Sequence, residues 1–482
     1  MASADTSKLN PEFTAVAADL LTFFQTPFTV VPSSKPIDFD TIFGGNLSED
    51  ARTLLRLATT QRKKLLEILA DPKADSRNVI GAVDAYLPSI WRVTASMQAS
   101  AQSAVKLNKK LEFKWTSALN KKGKEFAGNV FLYETAFVLT IRAIYHRDAA
   151  KIILEQGNDN YQDMGKELRV AAGIFEFVAK DLLARWDSPP QHRAPEVLPL
   201  VQHCLANLFL ADAQRLAIAK ALKSGSSPTV IAKLLIGAAE RYEFATRNVQ
   251  GVDKETFDSL VPGLLEELGA YPAILRACAS NCLAQVHWAK LEYSKGYGFA
   301  KDASYRLRII SMGKGLQSSP LQAMLVAATE RAGALEDEYR NDCEKVYFEQ
   351  PSKDLRMVDG QFIMNPIPYE LPSAELVSFA EVPLPQSQVK MAIQNFWTSL
   401  WAKPDSYPVS NEEHVKAAAA MSGASNLPGV QENLAAPTLS SGGGGIPVPE
   451  GMDPAVFRAL PEAIQLELSQ DASRSGSGNV AF

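Results

Sequence analysis

The chain has 482 residues, 46% of them apolar, which is enough for one large domain or two or three ordinary ones around a substantial core. A net charge of -5 excludes a nucleic-acid binder that works through overall positive charge. Five Lys/Arg against nine Asp/Glu between Gln386 and Phe482 leave the remaining body near neutral. Four cysteines in so long a chain do not make a disulfide framework, and with only His287 near Cys278 and Cys282 no four-ligand zinc spacing arises. Buried thiols in a reducing compartment are expected. The N-terminus has no basic region followed by an apolar run, no apolar run approaches ~20 residues, and no lipidation signal is present. A soluble intracellular protein is expected.

In chain order, Phe13 to Phe24 is a short apolar helix, followed by a Pro-rich loop that ends at Gly44-Gly45. Ser48 to Leu69 and Ser76 to Ala104 carry leucines and valines at three- and four-residue steps, the period of a helix. Asp71-Pro72 stops the first, and Pro88 kinks the second. Leu111, Phe113 and Trp115 then alternate with polar residues as in a half-buried strand, which pairs with Phe126 to Phe131 across Asn120-Lys121-Lys122-Gly123. This is the one small β-sheet expected. Helices resume over 132–155, 162–186, 196–223 and 229–248. They continue over 256–269, 271–294, 303–310 and 321–346. Long amphipathic helices joined by short breaks make antiparallel pairs, so the expected class is mainly α with TPR-like pairing, although no repeat period is visible.

Two of these helices, Leu198 to Lys223 and Thr229 to Asn248, flank the break Ser224-Gly225-Ser226-Ser227-Pro228. In the second, Ile231, Leu235 and Ala238 form one stripe, while Val230 and Leu234 lie about a hundred degrees round from it. A helix apolar on two faces is either fully buried or presents one face to a partner. Beyond Gln350 the prolines at 351, 366, 368, 372, 383 and 385 describe an extended arm along the body. Val389, Ile393, Phe396, Trp397, Leu400 and Trp401 then share one face of a short amphipathic helix over 389–402, which docks on the body or lies in a membrane interface. Residues 403–451 are rich in Ala, Ser, Gly and Pro and read as a flexible, disordered linker with a span of roughly 35–42 Å.

Leu210-Ala211-Asp212-Ala213-Gln214, followed by Ile231-Ala232-Lys233-Leu234, resembles the Bro domain, the helical module of Alix-like endosomal adaptors. Tyr133-Glu134, Ala171-Ala172-Gly173-Ile174-Phe175 and Val346-Tyr347 support the resemblance, which covers 13–388. It implies an elongated, banana-shaped scaffold with a concave apolar patch for the C-terminal amphipathic helix of an ESCRT-III subunit. Matched position by position, that patch falls at Ala217, Val230 and Leu234. The family pattern has Phe where this chain has Ala217, with Ile218 beside it as a partial substitute. By the same resemblance Tyr347 matches a phosphorylated tyrosine, and a buried packing role is the alternative.

The stretch from Asp453 to Leu468 resembles a ubiquitin-binding motif (UBM), placed at 452–469. Asp453-Pro454 caps a first turn, Leu460-Pro461 breaks it, and Ile464-Gln465-Leu466-Glu467-Leu468 forms a second. Val456, Phe457, Leu460, Ile464 and Leu468 have no core of their own there, and the resemblance puts Leu460 and Pro461 on the apolar patch of ubiquitin.

P-loop, nucleophile-elbow and metalloprotease motifs are missing, and the five histidines at 146, 192, 203, 287 and 414 are dispersed. No catalytic residue, metal or cofactor is expected. Lys106, Lys109, Lys110, Lys114, Lys121, Lys122 and Lys124 are offset only by Glu112 and Glu125. Such a run is a solvated face or, on an endosomal adaptor, a contact for anionic membrane. The combined expectation is a non-enzymatic adaptor, cytoplasmic and peripheral on endosomes. It would bind an ESCRT-III helix and ubiquitin, and sort ubiquitylated cargo to multivesicular bodies. The alternative is a helical scaffold with a ubiquitin reader in a nuclear or ubiquitin-ligase complex.

Overall fold

The computed structural model describes residues 31–44, 47–99, 106–155, 160–312 and 319–379. All of these belong to the first of two compact units, Met1–Ile393 and Gln394–Phe482. The expected helices at 13–24 and 389–402, the linker and the UBM lie outside the described residues.

A short helix, α1 (Phe39–Ile42), leads into strand β1 (Phe43–Gly44), which pairs antiparallel with β2 (Lys106–Leu107). Helices α2 (Glu49–Ala70) and α3 (Ser76–Ala99) follow, and Pro88 lies inside α3 as expected. The Ser48 hydroxyl caps α2 by accepting from Ala51 N at 3.1 Å. Strands β3 (Phe113–Thr116) and β4 (Glu125–Gly128) pair in the register Phe113 to Gly128 and Thr116 to Glu125. This is the hairpin that the alternation at 111–116 predicts. Its second strand ends at Gly128, short of the expected Phe131, which opens the next helix, and the β1–β2 pair is a second small sheet beyond the one expected.

The long helices α4 (Phe131–Glu155), α5 (Tyr161–Phe177), α6 (Pro199–Lys223) and α7 (Pro228–Gln250) come next. A short α8 (Lys254–Ser259) precedes α9 (Pro262–Ala289), α10 (Tyr293–Met312) and α11 (Ser319–Asp342). Packing is sequential: each long helix sits chiefly on its predecessor and successor, with α7 on α9. Short links between neighbours of this kind give antiparallel pairs.

Two of the later helices differ most from expectation. One helix runs through Gly269 and Pro272, where the sequence predicts a break. Its buried residues Leu264, Leu268, Tyr271, Leu275, Cys278 and Cys282 keep helical spacing on both sides. An internal proline costs about 3 kcal/mol, and burying several such side chains at about 1.5–3 kcal/mol each outweighs it. In α10, Gly296 and Gly298 lower the helix signal, yet the helix starts ten residues before the expected 303.

Two buried polar hubs account for the short motifs of the sequence. The Glu134 carboxylate accepts from Arg62 Nε at 2.8 Å, Tyr86 OH at 3.0 Å and Trp115 Nε1 at 2.6 Å, tying α4 to α2, α3 and β3. Asp212 meets Arg147 at 2.9 Å and Arg215 at 3.0 Å, and accepts from Tyr242 OH at 2.5 Å. Arg147 also holds Glu267 at 2.8 Å, so this network joins α4, α6, α7 and α9.

Burial raises the Glu267 carboxyl to about 7, against the attraction of Arg147. The folded state therefore binds the extra proton between the ordinary carboxylate range and pH 7, and stability falls as pH rises through that window. Unfolding in urea at pH 5 and pH 8 should show a slope that Glu267→Gln removes, amounting to about 1–3 kcal/mol. Identical slopes in the two chains would refute the assignment.

The arm, 348–379, runs back across the helices with one contact repeated three times. Ser352 N donates to Ser294 O (2.9 Å), Gln361 N to Lys233 O (2.8 Å) and Ile367 N to Arg169 O (3.0 Å). In each case a glycine four residues further along the helix, at 298, 237 and 173, lies under the carbonyl of that same arm residue, where any Cβ would collide. Farther on, Val377 N donates to Ser96 Oγ (3.1 Å) and Ser48 N to Phe379 O (3.3 Å).

Candidate partner-helix face

The turn between α6 and α7 explains how the two helices meet. Gly225, with φ +71°, allows Gly225 N to reach Leu222 O and Ser226 N to reach Ala221 O, a Schellman closure. Ser227 then caps α7 and Pro228 occupies its first position. In the antiparallel pair that results, Gln214 Nε2 donates to Leu234 O at 2.9 Å. One turn on from Gln214, Ala217 therefore comes level with Val230, one turn back from Leu234. The three matched positions lie along one stretch of the α6–α7 pair.

Their exposure differs from the two-faced reading of α7. Ala217 is half-buried, whereas Val230 and Leu234 are each only 4% exposed and count among the core. Ile218 is fully buried, so it does not stand in for the aromatic of the family pattern. The inward stripe Ile231, Leu235 and Ala238 is buried as expected. Basic side chains border this stretch: Lys220 and Lys233 are half-buried, and Lys223 Nζ lies 5.1 Å from the Tyr161 ring centroid.

Sequence reasoning missed Gln214 as a functional side chain. Fully buried, it donates to Leu234 O and to Gln361 O (2.6 Å) and accepts from Ile363 N (2.8 Å). All the hydrogen-bonding directions of its amide that face the arm are thus used. Its partners lie 20, 147 and 149 residues away in the chain, so no local pattern marks it.

The lysines are distributed along the hairpin. Lys109 and Lys110 precede β3 and line a cavity of about 330 Å³ with Leu107, Asn108, Leu111 and Asn129. Lys121, Lys122 and Lys124 are exposed around the β3–β4 turn. Three of the run are engaged: Lys114 with Glu112 at 3.0 Å, Lys121 Nζ with Asp258 O at 2.5 Å, and Lys124 over the Phe126 ring at 5.1 Å. Lys106 lies in β2. Tyr347 stacks on Tyr293 with centroids 3.5 Å apart and stays 36% exposed. None of the four cysteines forms a disulfide, and all are buried. Among the described residues no group of three His, Cys, Asp or Glu is placed to hold a metal, and no helix is long and apolar enough to cross a membrane.

Stacked antiparallel helices, one hairpin and a long return arm define a helical scaffold. The chain belongs to the BRO1-like domain family, whose model matches residues 97–374, more than half of its length. A ubiquitin binding region is matched at 444–476, and it contains Val456, Phe457, Leu460, Pro461, Ile464 and Leu468, which lie outside the described residues. The chain is similar to BRO1 domain-containing protein BROX of Homo sapiens (21% identity over 223 residues) and of Danio rerio (21% over 225). These alignments cover 46% of this chain and 54% of each relative, so the chain spans about half the length of the relatives it matches.

Among solved structures, the ALIX BRO1 CHMP4C complex aligns with a TM-score of 0.55 at 18% identity, over 73% of this chain and 98% of that one. A Bro1 domain described in connection with endosomal targeting aligns with a TM-score of 0.54 at 14% identity, over 78% and 98%. At such identities the likeness establishes the fold. A Bro domain and a ubiquitin-binding region in one chain support an ESCRT-like adaptor family.

Proposed function

We propose that the chain is a non-enzymatic adaptor of the endosomal ESCRT pathway. Its α6–α7 face holds the amphipathic C-terminal helix of an ESCRT-III subunit, and residues 452–469 hold ubiquitin, so that ubiquitylated membrane cargo is sorted to multivesicular bodies. The observation that carries this reading is the joining of the two modules in one chain. The ALIX structure, a complex with CHMP4C, adds support for a helix partner. Val230 and Leu234 one turn apart, bordered by lysines, suit the apolar edge of an acidic helix.

Ala217 is the position at which to test the face, because it is half-buried and substitution there spares the core. Ala217→Asp should weaken capture of an ESCRT-III C-terminal helix peptide at least tenfold with little change in melting temperature. Ala217→Phe, which restores the family's aromatic, should strengthen it. In the same full-length chain, Leu460→Ala with Pro461→Ala should abolish monoubiquitin binding, itself weak because so short an element buries a small interface. A peptide affinity indifferent to both Ala217 variants would remove the helix partner. Tagged chain in the nucleus instead of on endosomes would favour the ubiquitin-ligase or nuclear scaffold, the reading that the missing aromatic at Ala217 otherwise supports.

A further inference from the structure

We propose that the arm is a releasable strap whose middle contact, at Gln361, closes the α6–α7 face. The arm is extended and, among the described residues, has no strand partner, so its backbone grip on the helices consists of a few discrete hydrogen-bonded points, between which Met357, Val358, Phe362, Ile363 and Met364 pack against the core. At two of the three repeated contacts the helix residue reinforces its own seat: Ser294 Oγ donates to Gln350 O (2.5 Å) and Arg169 Nε to Asn365 O (2.7 Å). At the middle contact a neighbouring helix takes part. Gln214 of α6 clamps Gln361 O and Ile363 N from below while its Nε2 also holds Leu234 O. The arm then crosses α7, with Gly360 against the Glu240 carboxylate and the Phe362 ring 4.2 Å from the Arg241 guanidinium.

One side chain therefore bonds both the strap and the backbone of a patch residue, and the Val230 and Leu234 side chains are each only 4% exposed in this seated state. Lifting residues 357–364 breaks the Gln361 and Ile363 hydrogen bonds, frees Gln214 and uncovers the face at Leu234. The outer contacts at Gly298 and Gly173 stay closed, so the strap remains attached. What the opened face then takes up rests on the helix-partner reading above; the opening itself does not.

Gly237→Ala tests this cleanly. Alanine is the better helix former, so α7 is not weakened, yet the new Cβ occupies the seat of the Gln361 carbonyl. In the full-length chain, amide exchange across 357–364 should quicken at least tenfold, and trypsin cleavage at Arg356, already exposed, should rise. A thiol introduced by Leu234→Cys should react with a maleimide several-fold faster in the Gly237→Ala background, with mass spectrometry locating the label among the buried native cysteines. Gln361→Pro, which removes the N–H donated to Lys233 O and alters no helix, should reproduce both effects. Unchanged exchange in both variants, or faster exchange with an unchanged labelling rate for the introduced thiol, would overturn the proposal. Faster labelling in a chain that captures no helix peptide supports the strap and refutes only the helix partner.

Discussion

Glu134→Ala should cost about 3–5 kcal/mol of stability, the typical loss when one partner of a buried ion pair is removed. The carboxylate has no exposure and accepts three hydrogen bonds, from Arg62, Tyr86 and Trp115. Its loss strands a guanidinium that is itself fully buried and held otherwise by Lys35 O (2.6 Å) and Ser34 Oγ (2.7 Å), with the Trp115 and Phe113 rings 5.4 and 5.9 Å away. A buried tyrosine hydroxyl and an indole N–H lose their acceptor at the same time. The urea midpoint should fall accordingly, and Glu134→Gln, which keeps one acceptor oxygen, should lose less. A drop below about 1 kcal/mol for the alanine variant would mean that water or relaxation replaces the carboxylate. The hub that joins three helices to the hairpin would then be dispensable.

The double substitution Val230→Asp, Leu234→Asp should likewise destabilise the fold by several kcal/mol. Both side chains belong to the core, and a carboxylate introduced there is desolvated without a partner. The consequence for function is practical. Loss of helix-peptide binding in that variant would report unfolding as readily as a lost contact, which is why the half-buried Ala217 is the better probe. Thermal melts decide the matter: a double variant that melts with the parent chain shows that the strap leaves the two positions able to reach water.

Much of the architecture was legible because helical periodicity and turn chemistry are local. The leucine steps in α2, the capping Ser227-Pro228 and the alternation at Phe113 and Trp115 each reflect only neighbouring residues. The break wrongly expected at Gly269 to Pro272 has the complementary cause. Glycine and proline are breakers by propensity, and only packing on both sides of them keeps α9 continuous. The short motifs Tyr133-Glu134 and Leu210-Ala211-Asp212-Ala213-Gln214 marked the family without explaining themselves. Their role is to place a carboxylate or an amide where several elements converge, and convergence is not a property of a short stretch of chain.

The sequence by itself determined the class of the fold, the family and the modules of the chain, because composition, periodicity and contiguous motifs carry that information. It also placed Ala217, Val230 and Leu234 on two adjoining helices. Tertiary structure alone decided that Val230 and Leu234 are covered, that Ile218 is unavailable, and that the lysine run is strung along a hairpin with several members engaged. It alone showed that residues 352–367 reach back to helices about 60 to 200 residues earlier in the chain. The physical reason is the same throughout: exposure and long-range hydrogen bonding depend on which segments meet. The extended arm buries backbone groups against glycines, and those contacts leave no hydrophobic pattern to read.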